Sequence, residues 1–390
     1  MKSLQKDIII ACDSPGLGGS EIDLLRVAQM LNGAYSIGFV CSDSDKAIKR
    51  FADNHNLGFQ DNGRTGNRLT NVFTGLFRAA DLVNHNRSSI FVVWAHHLDS
   101  NRWLQLGLAL FGRSFVVCER TGPASRQDFT ESRSTPFIVR IVSRFAKLMV
   151  VCGHGQVNHL QSVVGGRVYG IIAVPNSRPV FKIRDQVRLL RSMKLELREK
   201  IGIPPGCYLL VMVGRVCADK NQRFVIELIK QDLLEKNVCF LVVGDGPDNK
   251  SLKEHVSNAH LGDRVFFVGQ QIETSPYYAM ADAFVFPSKF EGLSGALIEA
   301  MAAELPCLAS DIIANRELIS NEKTGWLFPL EDAANLAAKV NGWATNPEKA
   351  AKCASDGFAH VQAFYDESCE CANWRHVFRH LIGLQNPPII

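Results

Sequence analysis

Residues 283–301 read Ala283-Phe284-Val285-Phe286-Pro287-Ser288-Lys289-Phe290-Glu291-Gly292-Leu293-Ser294-Gly295-Ala296-Leu297-Ile298-Glu299-Ala300-Met301. The first five predict a short strand, apolar throughout and so buried on both faces. The small residues Gly292, Ser294 and Gly295 then lead into a helix predicted over Gly295–Ala303. A buried strand that turns directly into a helix is half of a βαβ unit, the repeating piece of a parallel sheet. The start of such a helix offers free N–H groups and partial positive charge, which suits a diphosphate. Glu291 precedes the helix and Glu299 lies in its early turns; eight residues of ideal helix separate them by about 12 Å. Read plainly, Glu291 is a solvated loop residue and Glu299 an acid favoured near a helix start.

The same alternation runs along the whole chain. In the first half, strands are predicted at Asp7–Cys12, Ile37–Cys41, Ser89–Trp94, Phe115–Glu119, Leu148–Cys152 and Val168–Val174. In the second half they fall at Tyr208–Val213, Cys239–Val243, Val265–Val268, Ala283–Pro287 and Pro306–Ala309. Helical patterns lie between them at Ser20–Leu31, Leu69–Asn84, Phe137–Ala146, Gln222–Gln231, Asn249–Ala259 and Gly295–Ala303. Two doubly wound α/β domains are the expectation. The proline-bracketed run Pro175–Pro179 reads as the linker, followed by a charged helical segment, Arg184–Lys200. Trp374, Val377, Phe378 and Leu381 recur at helical spacing in a last segment, Ser368–Leu384.

Upstream of the opening stretch, Val213-Gly214-Arg215-Val216-Cys217-Ala218-Asp219-Lys220-Asn221 places two cations just beyond a strand. Carboxyl ends of parallel strands are where such sheets bind ligands, and an Arg and a Lys there can neutralise a diphosphate. The plain alternative is two surface cations after a turn. Val243-Gly244-Asp245-Gly246-Pro247 is a strand-end loop whose glycines let backbone approach a ligand, or else a plain turn. Taken in order, Gly214-Arg215…Lys220-Asn221, Gly244-Asp245-Gly246-Pro247 and the pair Glu291/Glu299 followed by Ala300-Met301-Ala302 resemble the family-4 retaining glycosyltransferases. The resemblance continues through Ala309-Ser310-Asp311 and Thr324-Gly325-Trp326-Leu327-Phe328, and covers about residues 200–330 closely.

That resemblance implies the GT-B fold, two doubly wound Rossmann-like domains facing a central cleft. Residues 1–178 would form an acceptor-binding domain and 179–367 a nucleotide-sugar-binding domain, with the helix at about 368–390 packing back on the first. It implies that Arg215 and Lys220 hold the donor phosphates, Glu299 the ribose hydroxyls and Glu291 the donor sugar. The backbone of Gly292, Leu293, Ser294, Gly295 and Ala296 would cap the diphosphate, with Gly246 nearby and Ile272 bordering the base. Ser294 departs from the Gly or Pro of many relatives, which leaves the sugar open. Gly18 and Gly19 open the first predicted helix and would approach the donor phosphates and sugar. A dinucleotide fingerprint is a poor alternative, because Glu21 stands where its last glycine belongs. Phe91-Val92-Val93-Trp94-Ala95-His96-His97 ends a strand, and His96 would lie near the reacting sugar. Glu119 and Arg120 end another strand; they are the acceptor-phosphate candidates, or they pair with each other.

Composition sets the outer limits. Hydrophobic residues are 46% and charged residues 21%, which excludes a disordered chain. No apolar run reaches the roughly 20 residues of a membrane span. Lys2 and Lys6 precede an apolar stretch that stops at Asp13, too soon for a signal peptide. The eleven cysteines include no Cys-x-x-Cys pair and read as reduced thiols in a cytoplasmic protein. Residues 1–180 hold 20 Lys+Arg against 13 Asp+Glu, and residues 181–390 hold 23 against 26. The basic half, with the segments Asn101–Arg113 and Arg133–Lys147, suits an anionic membrane surface or acceptor; helices packed on their own sheet would show the same pattern. The expected function is metal- and cofactor-free transfer of a sugar, from a UDP donor first and GDP-mannose next. A glycan or lipid-linked acceptor in surface polysaccharide or lipopolysaccharide synthesis is expected, with no nucleic-acid partner. The alternatives are a nucleotide-sugar epimerase or a phosphorylase on the same fold, or a non-catalytic binding protein.

Overall fold

The computed structural model describes residues 6–14, 19–43, 47–61, 80–84, 86, 89–95, 102–111, 115–119, 144–164 and 170–382. By its internal contacts the chain divides into two units, Met1–Asn176 with Ser368–Ile390, and Ser177–Glu367.

The first unit is built on seven parallel strands: β1 (Ile8–Ser14), β2 (Ile37–Asp43), β3 (Gly58–Asp61), β4 (Ile90–Ala95), β5 (Phe115–Glu119), β6 (Ala146–Val151) and β7 (Ile171–Ala173). Their order across the sheet is β3-β2-β1-β4-β5-β6-β7. The unbroken apolar runs have a physical reason, because alternate side chains enter two different cores. Ile8, Ile10, Trp94, Val116 and Val150 face one, while Ile9, Ala11, Val93, Val117 and Met149 face the other.

Helix α1 (Gly19–Leu31) fills the first core and α3 (Arg102–Leu110) the second, with α2 (Ala47–Asn54) and α4 (Gly155–Val164) also in this unit. Leu104 and Leu108 of α3 are buried, so much of the Asn101–Arg113 apolar stretch covers its own sheet; Leu110 and Phe111 remain exposed. The first core is also sealed by Trp374, Val377 and Phe378 of the final helix of the chain, Glu367–Ile382. Trp374 stacks on Trp94 with ring centroids 6.1 Å apart. Buried Glu370 beside it accepts from Arg26 at 2.6 Å and from the Trp374 indole at 3.4 Å.

The second unit holds six parallel strands: β8 (Tyr208–Val213), β9 (Val238–Val243), β10 (Val265–Gly269), β11 (Ala283–Phe286), β12 (Cys307–Ser310) and β13 (Trp326–Phe328). Their order is β10-β9-β8-β11-β12-β13. Its helices are α5 (Val180–Arg191), α6 (Lys194–Glu199), α7 (Gln222–Lys230), α8 (Asn249–Asn258), α9 (Ser275–Met280), α10 (Gly295–Ala302), α11 (Ile313–Leu318), α12 (Ala333–Thr345) and α13 (Pro347–Phe364). The final helix, Glu367–Ile382, is α14.

Three sequence readings need correction. Ala146 begins β6 rather than ending a helix, and residues 137–143 of that predicted helix lie outside the described residues. The charged segment starts earlier, at Val180, where Pro179 presets the backbone at φ −72°, and it breaks into α5 and α6 at Ser192–Met193. Strands β3 and β13, four and three residues long, were not expected. Of the predicted helix at 69–84, residues 80–84 are helical and the rest lie outside the described residues.

Replacing Trp374 by Ala should remove the seal over the first sheet and cost about 3–5 kcal/mol. A urea titration followed by tryptophan fluorescence checks this; an unchanged midpoint would show that α14 is not part of that core.

Candidate functional site

Strand order decides where loops open. The chain runs outward from β8 through β9 to β10, then crosses back to the far side of β8 with β11. The loops after β8 and β11 therefore leave in opposite directions at the switch point of the sheet, the usual ligand position in open parallel sheets. Residues 214–221 follow β8 and residues 287–294 follow β11.

Three strand-end loops lock together before any side chain contributes. The Gly214 amide donates to the Val243 carbonyl at 2.9 Å, and the Gly244 amide to the Gly269 carbonyl at 2.8 Å. Gly244 has φ +142°, and a Cβ there would stand 2.0 Å from the Gly214 carbonyl oxygen. A Cβ on Gly246 would stand 2.3 Å from the Val216 carbonyl oxygen. Asp245 between them accepts from the Gly246 amide at 2.7 Å and from Asn249 at 2.8 Å. Those donors, the backbone one foremost, hold its carboxyl below the usual range. An open depression of about 430 Å³ runs along Asp245–Pro247 and the start of α8; none of Arg215, Lys220, Glu291 and Glu299 lines it.

Across the switch point, the Lys289 amide donates to the Asp219 carbonyl at 2.8 Å, and the Asn221 side chain to the Pro287 carbonyl at 3.3 Å. These bonds bring the Lys220 ammonium onto the Glu291 carboxylate. The ammonium also lies 5.2 Å from the centre of the Phe286 ring. Arg215 has its carbonyl fixed by Gln222 at 2.9 Å, while its side chain is exposed and makes no ion pair among the described residues.

Helix α10 starts at Gly295. Ser294, extended at φ −76° and ψ 113°, caps it by accepting from the Leu297 amide at 3.3 Å. Helix geometry leaves the Gly295 and Ala296 amides without an intrahelical acceptor. Gly292, Leu293 and Ser294 are buried beneath this start. Within the helix, Glu299 accepts from the Arg178 Nε at 2.7 Å and from the Tyr278 hydroxyl at 3.0 Å. Burial, then the neighbouring Glu299 charge, pushes the Tyr278 phenol well above its ordinary value.

Lys220 and Glu291 thus meet, and Glu299 is held by two groups that sequence reading missed, Arg178 and Tyr278. Arg178 stood in the linker, and Tyr278 lies in a six-residue helix with no motif around it. Ile272 is 98% exposed. Gly19 is the first residue of α1 and Glu119 the last of β5. Gly18, His96, His97 and Arg120 lie outside the described residues; β1 and β4, the strands that precede Gly18 and His96, are neighbours at the first sheet's own switch point. Among the described residues no group of three or more His, Cys, Asp or Glu side chains is placed to hold a metal ion.

Residues 193–360 match the family described as Glycosyl transferases group 1. Among curated relatives, the chain is 32% identical over 168 residues to the UDP-Gal:alpha-D-GlcNAc-diphosphoundecaprenol alpha-1,3-galactosyltransferase of Escherichia coli, 42% of each chain. It is 28% identical over 204 residues to the lipopolysaccharide core biosynthesis mannosyltransferase LpsB of Rhizobium meliloti (strain 1021), 50% of this chain and 58% of that one. The chain thus spans roughly two-fifths to three-fifths of the length of these relatives. Among solved structures, Anabaena HepE in complex with UDP-glucose superposes with a TM-score of 0.80 over 96% of this chain and all of that one, at 17% identity. The fold is GT-B.

The locked glycine loops carry a direct prediction. Gly244→Ala puts a methyl into a backbone carbonyl at a positive φ and should cost more than about 3 kcal/mol. Gly206→Ala, with nothing within 4 Å, should stay within about 0.5 kcal/mol of the parent. Equal melting temperatures for the two variants would contradict the packing.

Proposed function

We propose that the chain is a retaining glycosyltransferase of the family-4 kind, moving a sugar from a nucleotide diphosphate to a glycan or lipid-linked acceptor. The observation that carries this reading is the convergence at one switch point of Arg215, the Lys220–Glu291 pair and the capped start of α10. The group 1 match over residues 193–360 supports it. A UDP-linked sugar is the first choice of donor, supported by the UDP-Gal of the E. coli relative, with GDP-mannose second. That relative's diphosphoundecaprenol-linked acceptor supports a lipid-linked acceptor here, in surface polysaccharide or lipopolysaccharide synthesis. No helix among the described residues is long and apolar enough to cross a membrane. Work at the cytoplasmic face, with peripheral contact through the basic first half, fits such an acceptor.

Each group then has a task. Arg215, Lys220 and the amides at the start of α10 face the diphosphate, and Glu299 faces the ribose. Glu291 orients the sugar hydroxyls, with Ile272 beside the base. Gly18, Gly19 and His96 are assigned to the sugar, and Glu119 and Arg120 to the acceptor. The bond from the sugar's C1 to the β-phosphate oxygen breaks, and a bond from the acceptor oxygen to C1 forms on the same face. The acceptor's proton passes to the departing phosphate oxygen. Fixed cations and helix amides stabilise the charge that grows on that oxygen, so the reading requires no metal and no cofactor.

A panel of UDP- and GDP-sugars with lipid-linked acceptors tests it. One donor should be turned over with retained anomeric configuration by NMR, at a rate unchanged by EDTA. Arg215→Ala and Lys220→Ala should each lower kcat/KM by about 10²–10³. An inverted product, or full activity in both variants, would end this assignment.

A further inference from the structure

Arg178 belongs to no recognised motif, yet its position is fixed from both sides. Its amide donates to the Tyr365 carbonyl at 3.0 Å, and its carbonyl accepts from the Glu367 amide at 3.1 Å. From this anchor the side chain runs to the start of α10. The Nε donates to Glu299 Oε1 at 2.7 Å and Nη1 to the Ser177 carbonyl at 2.8 Å. The remaining nitrogen lies directly over Gly295. A Cβ at position 295 would stand 1.7 Å from Nη2 and 2.3 Å from Cζ. Gly295 does not adopt a left-handed φ, so its backbone makes no demand for glycine. The guanidinium above it does.

A cation beside the first turn of a helix opposes the helix dipole, and Glu299 is what offsets that here. The opposite oxygen of Glu299 is held by Tyr278. A carboxylate has about four lone-pair sites, so one donor on each oxygen fixes its plane and leaves a further site on each. That is the disposition two neighbouring ribose hydroxyls require.

We propose that Arg178 is a positioning residue of the donor site. It orients Glu299 toward the ribose, and residue 295 is glycine because Arg178 must pass over it. The inference rests on the reading of Glu299 as the ribose partner.

Titration calorimetry on the full chain tests it, with UDP, GDP and the 2′-deoxy form of whichever binds more tightly. The parent should prefer the ribonucleotide by about tenfold or more, as expected for a hydrogen bond to a charged group. Arg178→Ala should bring that ratio close to one, and Arg178→Lys should restore part of it. A residue that merely supported the fold would weaken both nucleotides alike. Gly295→Ala should reproduce the Arg178→Ala ratio, since its methyl meets the flexible end of Arg178. The double variant should then be no worse than Arg178→Ala alone. If Arg178→Ala does not fold, Gly295→Ala decides through the same ratio. A ratio unchanged from the parent, or losses that add in the double variant, overturns the proposal. If neither diphosphate binds the parent chain, the donor reading itself falls, and the inference with it, before any variant is made.

Discussion

The carbonyl oxygen of Gly214 occupies the place where a side chain on residue 244 would begin. That contact lets the ends of β8 and β9 close onto each other, and the Gly244 amide extends it to β10. Further along the loop after β8, Asp219 and Asn221 bond the segment after β11. Lys220 sits between those two anchors. Its contact with Glu291 is thus framed by backbone bonds between the loops after β8 and β11.

The two ends of this sheet use charge differently. At the amino ends, buried Arg198 donates to the Met280 and Cys207 carbonyls at 2.9 Å each and to Asp282 at 2.7 Å. Asp282 also accepts from Lys194 at 2.5 Å and from the Leu209 amide at 2.7 Å. This network is closed: the groups consume one another and tie α6 to the starts of β8 and β11, which is structure. At the carboxyl ends, Arg215 has no ion-pair partner among the described residues, and Lys220 and Arg178 hold carboxylates with lone pairs to spare. A network that stops short of satisfaction at a switch point is where a ligand belongs.

What could be read in advance follows from range. Strands buried on both faces announce themselves as apolar runs, and Phe115–Glu119 and Tyr208–Val213 were legible to the residue. β3 and β13 were not, because four and three residues are too few to carry a period. Ala146 was drawn into a helix by the apolar spacing before it, while its pairing with Phe115 on β5 makes it strand. The order of strands is set by pairing between distant segments, so the switch point was invisible even though the residues that line it were not. Lys220, Glu291 and Glu299 were found by motif order. Arg178 was missed because its bond to Glu299 closes over 121 residues, and only Gly295, read as a small residue before a helix, hinted that something had to fit above it.

Net charge is a poor guide to where an anion goes. Residues 181–390 carry 26 acids against 23 bases, yet Arg215 and Lys220 both follow β8 at the carboxyl end of the sheet. At the proposed donor site an anion would meet the local field, set by nearby cations and helix amides, with more distant acids screened by water. Lys220 and Glu291, 22% and 9% exposed, are already held in place. Groups fixed by the fold need no reorganisation when charge develops on a leaving oxygen, and that is when their contribution is largest.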